Sequence, residues 1–365
     1  MKEKIAVLGA GPMGLAVAYQ LHKNGKKPVI FEADDRVGGM TAMFDFNGLD
    51  IERYYHFHCT SDKGFLNILD ELEIKDSLVW KKTKMAYWFN GKLQPWGNPL
   101  ALLTFKGLSW TAKIRYGVFA FFSTKRNNWK KLDNLKADTW VKRWVGKEAY
   151  SILWQKLFDY KFYHFTNNLS AAWIWSRIRR IGRSRYNLMN EKLGHLEGGS
   201  GTLLNALESY LRNNGVEIHL SSLVSKVVIN NKKISGIKVK DNFIDFNKVI
   251  STIPLPYVNK VIPDLPENIS KQFDNINNIA VVCVIAKLKK SVSENFWVNI
   301  NDESMDIPGL VEYSNLRKMN NHIVYVPFYM TGEHKKFADS DQVFIEKVRT
   351  YLKKINKELL DEDFI

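Results

Sequence analysis

The chain opens with two apolar runs separated by a segment of helical periodicity. Residues 5–8 and 28–31 are uninterrupted apolar stretches of strand length, and the apolar positions of residues 15–22 recur at helical spacing. Asn24-Gly25 closes that helical pattern, as glycine does after many helices. The hydrophobic pattern therefore predicts a strand, a helix and a second strand within the first 31 residues.

The same two periodicities divide the rest of the chain. Residues 42–50 and 80–93 alternate around Asn-Gly turns, which predicts hairpins. Further predicted helices lie at residues 61–72, 105–125, 171–180 and 340–360. Two more lie within residues 140–165, and another is opened by residues 196–204 and runs to residue 213. Further predicted strands lie at residues 216–220, 223–230, 233–239, 248–254, 280–288, 296–300, 309–313 and 322–330.

The turn after the first strand carries glycines at a spacing that suits a dinucleotide. Gly9 permits a tight turn, Gly11 lets the backbone approach a pyrophosphate, and Gly14 lets helix and strand pack closely. Unpaired N–H groups at the helix start then face the phosphates. Glu32, at the end of the second strand, is an acceptor for ribose hydroxyls. In this order the elements predict a dinucleotide site.

The residues after Glu32 indicate whether the dinucleotide is a flavin or a nicotinamide cofactor. Glu32, Arg36, Gly38 and Gly39 form the pattern E-x-x-x-R-x-G-G, and a nicotinamide enzyme does not need a second glycine pair there. The sequence thereby resembles the FAD-dependent amine oxidase superfamily, which includes protoporphyrinogen oxidases and phytoene desaturases, with UDP-galactopyranose mutases as near relatives. Met40 departs from the arginine that many members carry after the pair, which weakens a monoamine-oxidase assignment more than FAD itself.

The resemblance implies a fold class and a set of FAD contacts. It implies an α/β protein with a discontinuous Rossmann-like FAD-binding domain and a second, α+β substrate domain. The FAD domain would comprise residues 1–75 and 194–255, and the substrate domain residues 76–193 and 256–365. The implied FAD contacts are Gly9, Gly11, Pro12, Met13, Gly14, Glu32, Ala33, Arg36, Gly38, Gly39, Met40, Thr41, Val224 and Thr252.

Charge is concentrated in one segment. The net charge is +15, and residues 101–185 contain 18 Lys and Arg against 4 Asp and Glu, together with seven of the eleven tryptophans. Such a segment is either a solvated basic face or the contact for an anionic partner. Arg179, Arg180 and Arg183 are the candidates for an anionic group of the substrate, since arginine binds phosphate and carboxylate with two parallel hydrogen bonds. No nucleic-acid motif accompanies the charge, so no nucleic-acid partner is expected.

The predicted helix at residues 105–125 mixes apolar and cationic positions. It can lie in a membrane interface, or it can cap a substrate pocket while its cations face water. The sequence shows no signal peptide and no run long enough to span a membrane. Its two cysteines, Cys59 and Cys283, suit a reducing compartment. We therefore expect a cytoplasmic protein, with peripheral contact at the inner face of a membrane as an alternative.

Catalytic residues are less evident than the cofactor motif. Tyr54, His56 and His58 alternate, so they share one face if the stretch is extended. The two histidines are candidates for a proton carrier or substrate hydrogen-bonder near the flavin, or they are structural. A metal site is not expected, because no distant partner motif accompanies them.

The function implied by the resemblance is FAD-dependent oxidation of a small molecule by hydride transfer to the flavin. By analogy the substrate is a glycan or lipid-linked intermediate, and the alternatives are a non-redox flavoenzyme of the UDP-galactopyranose mutase kind and a non-catalytic scaffold that binds a membrane or a partner. The family's C-terminal FAD segment is not recognised after residue 340. We therefore expect the apolar stripe of the helix at residues 340–360 to lack a partner, and FAD to bind more weakly than to a longer chain.

Overall fold

The fold is described from a computed structural model. It describes residues 3–276 and 278–365, except for the side chain of residue 164. The strands are β1 (Ile5–Leu8), β2 (Pro28–Phe31), β3 (Met43–Asp45), β4 (Asp50–Glu52), β5 (His58–Cys59), β6 (Leu78–Thr83), β7 (Met85–Phe89), β8 (Lys92–Trp96), β9 (Arg185–Asn187), β10 (Asn190–Leu196), β11 (Glu217–His219), β12 (Val224–Asn230), β13 (Lys233–Val239), β14 (Asn242–Asp245), β15 (Lys248–Ser251), β16 (Ile279–Leu288), β17 (Trp297–Asn301), β18 (Gly309–Glu312) and β19 (His322–Thr331).

Helices connect these strands and also form a segment of their own between β8 and β9. They are α1 (Pro12–Lys23), α2 (Lys63–Glu71), α3 (Pro99–Thr104), α4 (Trp110–Lys125), α5 (Lys130–Asp133), α6 (Ala137–Tyr150), α7 (Lys156–Phe162), α8 (Ala171–Arg183), α9 (Ser200–Asn213), α10 (Val258–Val261), α11 (Glu267–Asp274) and α12 (Asp341–Ile355). No helix of the described residues is both long enough and apolar enough to cross a membrane.

The chain divides into two compact units. One comprises residues 1–56, 64–79 and 196–278, and the other comprises residues 57–63, 80–195 and 279–365. Residues 256–278, expected in the substrate domain, cluster with the first unit, and residues 57–63, expected in the FAD domain, cluster with the second.

The first unit is built on a parallel sheet with the strand order β11-β2-β1-β15. Its strands are too short for clear alternation in the sequence, yet they bury both faces. Val7 and Ile30 pack on the side of α1 and α9, whereas Ala6, Leu8 and Phe31 pack against the antiparallel strands β12, β13 and β14. Both faces of a parallel sheet are normally covered, which explains the uninterrupted apolar runs.

The second unit contains a six-stranded sheet with the order β16-β19-β18-β17-β7-β8. The four late strands predicted from the sequence are present, and the hairpin β7–β8 joins them through a parallel pairing of β7 with β17. A separate core, rich in tryptophan and phenylalanine, holds α3 to α8 together. The mixture of parallel and antiparallel sheets with covering helices confirms the predicted α/β fold class.

Two expectations about helices are wrong. The helix predicted at residues 105–125 starts only at Trp110 (α4), because the chain turns at Gly107 (φ +109°), where a Cβ would lie 2.4 Å from the Phe89 ring. The terminal helix ends at Ile355 rather than residue 360, and its apolar stripe does have a partner: Phe344 and residues packed beside it join the core of the six-stranded sheet. A one-sided stripe shows that a helix buries one face, but it does not show what covers that face.

Candidate cofactor site

The carboxyl ends of the parallel strands form the edge at which a ligand site is expected in this type of sheet. The residues that follow each strand are linked sideways by backbone hydrogen bonds. Gly9 donates its N–H to the carbonyl of Phe31 (2.8 Å), and Thr252 donates its N–H to the carbonyl of Leu8 (2.9 Å). Glu32 donates its N–H to the carbonyl of His219 (2.9 Å). The predicted turn, the acid and the later threonine therefore lie along one edge.

Two of the glycines are required by the protein's own atoms. Gly9 has φ +99°, in the region that side-chain-bearing residues rarely adopt. A Cβ on Gly14 would lie 1.9 Å from the carbonyl oxygen of Gly9. The turn and the helix approach each other closely enough that only glycine fits at this point.

Gly11 behaves differently from these two glycines. A Cβ built there comes no closer than 4.0 Å to any described atom, and that atom is the Cα of Gly39. Gly39 itself has φ +52° and follows Gly38 (φ +117°), whose N–H binds the carbonyl of Ala10 at 2.9 Å. The second glycine pair thus lies directly beside the first turn. Space next to Gly11 is what a pyrophosphate passing over the turn requires.

The start of α1 is open to such a group. Gly11 is the N-cap residue and Pro12 follows it, no side chain caps the helix, and no acidic residue occupies its first turn. The first N–H groups of a helix attract anions, because they are unpaired and carry the positive end of the helix dipole. Met13 beside them leaves 67% of its side chain exposed, and Met40 after the glycine pair leaves 58% exposed. Exposed apolar side chains around a polar turn suit a large, partly aromatic ligand.

Glu32 is held in place by two backbone groups. Its Oε2 accepts the N–H of Ala10 (2.6 Å), and its Oε1 accepts the N–H of Asp34 (2.9 Å). Each carboxylate oxygen retains a further lone pair, so the side chain can still accept hydrogen bonds from ribose hydroxyls. Ala33, the next residue, is exposed.

The two arginines of this region have different partners. Arg36 is exposed and binds Asp35 through Nε (2.7 Å), which raises the pKa of the Arg36 guanidinium. Arg53, which the sequence argument did not select, pairs with Asp34 (2.6 Å) and reaches the carbonyl of Gly39 (3.4 Å). Arg53 therefore lies against the glycine pair. Arg53 lies three residues after the predicted hairpin of residues 42–50, and no pattern in the sequence marked it as a contact.

The remaining predicted contacts support the turn or lie next to it. Thr252 donates its Oγ1 hydrogen to the carbonyl of Leu8 (2.8 Å), and Thr41 donates to the carbonyl of Gly38 (2.8 Å). Val224 is buried in the core below the sheet, while Leu223 before it is 62% exposed. Leu223 is thus the side chain that presents apolar surface here, although the resemblance to the family implied a contact only at Val224.

The candidate histidines lie in different surroundings. His56 is in irregular chain and is half-buried, and its Nδ1 donates to the carbonyl of Tyr54 (2.7 Å), since a carbonyl can only accept. This bond fixes the tautomer of a neutral ring, with Nε2 as its proton acceptor. His58 is in β5 and pairs with Gly194. Their catalytic role stays a prediction.

The three candidate substrate arginines lie on α8, and each has a partner within the second unit. Arg180 holds Asp62 through two hydrogen bonds, Nε to Oδ1 (2.9 Å) and a terminal nitrogen to Oδ2 (2.7 Å). Burial raises the pKa of Asp62, but these bonds and the N–H of Cys59 outweigh it, so that pKa lies below its usual range. The structure does not bring the three arginines to one point.

Arg179 and Arg183 bind the end of α4 instead. Arg179 donates to the carbonyl of Arg126 (3.1 Å), Arg183 donates to the carbonyl of Thr124 (3.1 Å), and both reach the side chain of Asn127. Cations are favourable at the carboxyl end of a helix because the last carbonyls there are unpaired. Both guanidinium groups therefore already have structural partners.

Fold and site together define a dinucleotide-binding α/β protein. The profile of the family described as flavin containing amine oxidoreductase matches residues 14–364. The chain therefore belongs to this family, which confirms the resemblance predicted from the sequence, and its cofactor is FAD. The glycine turn, the space beside Gly11 and the carboxylate of Glu32 fit such a cofactor.

Relatives and solved structures agree with this assignment. The chain is 24% identical over 309 residues to a 15-cis-phytoene desaturase of an Oncidium hybrid cultivar, covering 77% of this chain and 51% of the relative. It is 28% identical over 174 residues to protoporphyrinogen oxidase 2 of Arabidopsis thaliana, covering 47% and 33%. The chain spans about half the length of such relatives, or less. The structure of a reduced UDP-galactopyranose mutase has the same fold, with a TM-score of 0.75 at 17% identity over 100% of this chain and 82% of that one.

Proposed function

We propose that this protein is an FAD-dependent oxidoreductase that oxidises a small molecule by hydride transfer to the flavin. The observation that carries the proposal is the space beside Gly11, at an uncapped helix start and next to a second glycine pair. When bound, FAD supplies the ring that accepts the hydride. Family relatives described as desaturase and oxidase support a redox role.

The protein's own contribution is to bind and orient the cofactor. The N–H groups at the start of α1 would hold the pyrophosphate, and Glu32, fixed by Ala10 and Asp34, would hold the ribose. Thr252 supports the turn by donating its hydroxyl hydrogen to the carbonyl of Leu8. With its Nδ1 hydrogen committed to Tyr54, His56 could take up a proton only at Nε2.

The test is flavin retention by a glycine variant and its matched control. Gly11→Val places a side chain where the pyrophosphate would pass, whereas Gly64→Val adds the same side chain on α2, where a Cβ also meets nothing within 4 Å. We expect wild type and Gly64→Val to purify yellow and Gly11→Val to purify colourless with its far-UV circular dichroism unchanged. A yellow Gly11→Val protein would overturn the assignment of the site.

Redox and non-redox flavin chemistry can be distinguished by measuring whether electrons are transferred at each turnover. An oxidoreductase transfers electrons at each turnover, so substrate alone should bleach the flavin absorbance and an acceptor should restore it. If activity instead needs reductant but does not consume it, the mutase-like alternative replaces the proposal. A protein that stays colourless after FAD is added supports the non-catalytic alternative.

We also propose that the exposed side of α4 contacts an anionic membrane surface, at the cytoplasmic face where such lipids concentrate. Five large apolar side chains on this helix are 42–65% exposed, namely Trp110, Ile114, Val118, Phe121 and Phe122. The opposite side, with Ala112 and Phe119, packs into the helical core. The helix contains no acidic residue, and Lys125 lies 5.9 Å from the Phe121 ring. A stripe of aromatic side chains flanked by cations suits an interfacial helix.

Vesicle sedimentation tests this contact. We expect wild type to bind phosphatidylglycerol vesicles, with an affinity that falls as salt rises, and to bind phosphatidylcholine more weakly. The variant Phe121→Ser/Phe122→Ser should lose about tenfold or more, because burial of each aromatic side chain contributes about 1.5–3 kcal/mol. Phe243→Ser, which removes an equally exposed phenylalanine from β14 in the first unit, is the control. Equal loss in both variants, or no binding at all, would return α4 to the alternative of a pocket cap.

A further inference from the structure

Two cations of the second unit lie near one aromatic ring, with no counter-charge from the part of the chain that the structure describes. Lys161 of α7 has its ammonium nitrogen 5.7 Å from the centre of the Trp173 ring and 5.0 Å from that of Tyr329, a residue of β19. Arg177 follows Trp173 by one turn of α8, and its guanidinium carbon lies 4.8 Å from the same ring. Among the described residues, neither cationic head has a hydrogen-bond acceptor or a carboxylate partner.

A neighbouring lysine shows how unusual this is. Lys156, five residues earlier on α7, is buried, and it has Glu303 at 3.6 Å, whereas Lys161 is partly exposed. For Lys161, burial lowers the pKa to about 8, and the positive charge of Arg177 lowers it further. Arg177 has its own pKa lowered by burial and by Arg180. The charge of Arg177 disfavours the Lys161 ammonium, so an anion that contacts both groups would stabilise that ammonium. Arg177 is exposed, which leaves its guanidinium open to such a ligand.

We propose that Lys161 and Arg177 form a subsite for a phosphate group of the substrate, with the Trp173 ring as its apolar wall. The guanidinium can bind two phosphate oxygens with parallel hydrogen bonds, and the ammonium adds a compact point charge. A doubly charged phosphate balances both cations, whereas a single carboxylate balances one. The inference deepens the proposed function by naming the substrate class, and its test does not depend on flavin chemistry.

The subsite takes the place of the arginine cluster expected from the sequence. Arg180 is committed to Asp62, and Arg179 and Arg183 are committed to the carbonyls at the end of α4. Arg177 shares their helix and lies against the Trp173 ring, and its guanidinium has no such acceptor among the residues that the structure describes. Its N–H donors are therefore available to a ligand.

Site-resolved labelling of lysines tests the subsite in the full chain saturated with FAD, so that the glycine turn is filled. Competitive acetylation across a pH series, read by mass spectrometry, should give Lys161 a midpoint near its lowered pKa of about 8, well below the ordinary value for a lysine side chain. Inorganic pyrophosphate should protect Lys161 and raise its midpoint, because the bound anion stabilises the ammonium. Sodium chloride at the same ionic strength should not protect it.

Variants separate a binding site from general charge. Arg177→Gln should weaken pyrophosphate protection of Lys161 about tenfold or more, the loss expected for a charge-assisted contact. Lys161→Met keeps the apolar stem against the rings and should weaken pyrophosphate binding, measured calorimetrically, to a similar extent. The control is Arg179→Gln, since Arg179 also stacks on a tryptophan of α8, with its guanidinium carbon 5.4 Å from the Trp175 ring. It should change the affinity less than twofold.

The source of the phosphate is distinguished by a second probe. Protection by pyrophosphate in solution supports a soluble phosphorylated substrate, and protection by phosphatidic acid vesicles alone supports a lipid-linked phosphate. Protection by neither probe, protection equal to that of chloride, or an unchanged affinity in Arg177→Gln would overturn the subsite. A protein that shows the protection but never reduces its flavin would retain the subsite and lose the proposed function.

Discussion

Three helices of the second unit and the first helix of the first unit begin in different ways, and the difference bears on where a ligand binds. In the second unit, Asn98, Ser109 and Ser170 each accept an N–H from the first turn of α3, α4 and α8. In the first unit, α1 begins at Gly11 with no side-chain cap. A helix start costs stability when its N–H groups lack partners, so a start that has no cap beside open space is suited to an anionic ligand.

The glycine turn of the first unit and the proposed subsite of the second unit also differ in which groups form their surfaces. Around Gly11 the turn presents backbone groups, and the lack of a side chain on glycine leaves space for a ligand. Around Lys161 and Trp173 the surface consists of side chains from α7, α8 and β19, which are far apart in the sequence. Glycine spacing can therefore predict the first site, whereas the second requires the fold.

The largest expected effect compares two glycines of the same turn. Gly14→Ala forces a Cβ to within 1.9 Å of the Gly9 carbonyl, and we expect it to cost about 3 kcal/mol or more of unfolding free energy. Gly11→Val should leave stability within about 0.5 kcal/mol in the absence of flavin, since no protein atom lies close. Urea unfolding of flavin-free protein measures both. Equal losses would show that Gly11 also serves the fold, and the distinction between ligand space and packing would fail.

A smaller effect is expected where Arg180 holds Asp62. Asp62→Asn leaves a half-buried guanidinium without its counter-charge, which should cost about 2 kcal/mol at neutral pH. Because the pKa of Asp62 is lowered in the fold, this contribution is present above the ordinary pKa of an aspartate. It is lost as the pH falls through the lowered value. The variant should therefore unfold with a weaker dependence on acid than wild type. Unchanged stability would mean that Arg180 is available to a ligand after all.

Glu191 should show the opposite dependence on pH. Burial raises the pKa of its carboxyl to about 7, against the opposing charge of Arg185. The native state therefore holds a proton that the unfolded chain releases at lower pH, and stability falls as the pH rises through the folded value. Glu191→Gln should be more stable than wild type by about 1.5 kcal/mol near pH 8, with most of that difference gone near pH 5. Denaturant titrations at the two pH values measure it, and a constant difference would contradict the assignment.

The smallest effect concerns the capped helices of the second unit. Ser170→Ala removes the acceptor for the N–H of Ala172 and should cost about 1 kcal/mol. Ser176→Ala on the same helix, whose hydroxyl donates only to the carbonyl of Trp173, should cost less than about 0.5 kcal/mol. Thermal melting of both variants gives the comparison. If Ser170 proves dispensable, side-chain capping does not distinguish the start of α8 from that of α1.

Much of the fold could be predicted from the sequence because its signals are local. The strand-turn-helix unit at β1, the hairpin β12–β13 and the four late strands all follow from periodicity and turn residues. The parallel pairing of β7 with β17 did not follow, since Met85 and Trp297 are partners across the whole helical segment. The turn at Gly107, which delays the start of α4 to Trp110, was missed because apolar positions continue at helical spacing through it.

For the cofactor site, the sequence by itself identified the glycines and the acid, because each is required by the local backbone conformation within a few residues of its own position. It also determined the segment in which positive charge concentrates. Only the tertiary structure decided how that charge is used: it pairs Arg180 with Asp62, 118 residues away, and leaves Arg177 beside Lys161 without a carboxylate partner among the described residues. Pairing between distant side chains depends on how elements pack, and a linear pattern contains no record of those distances.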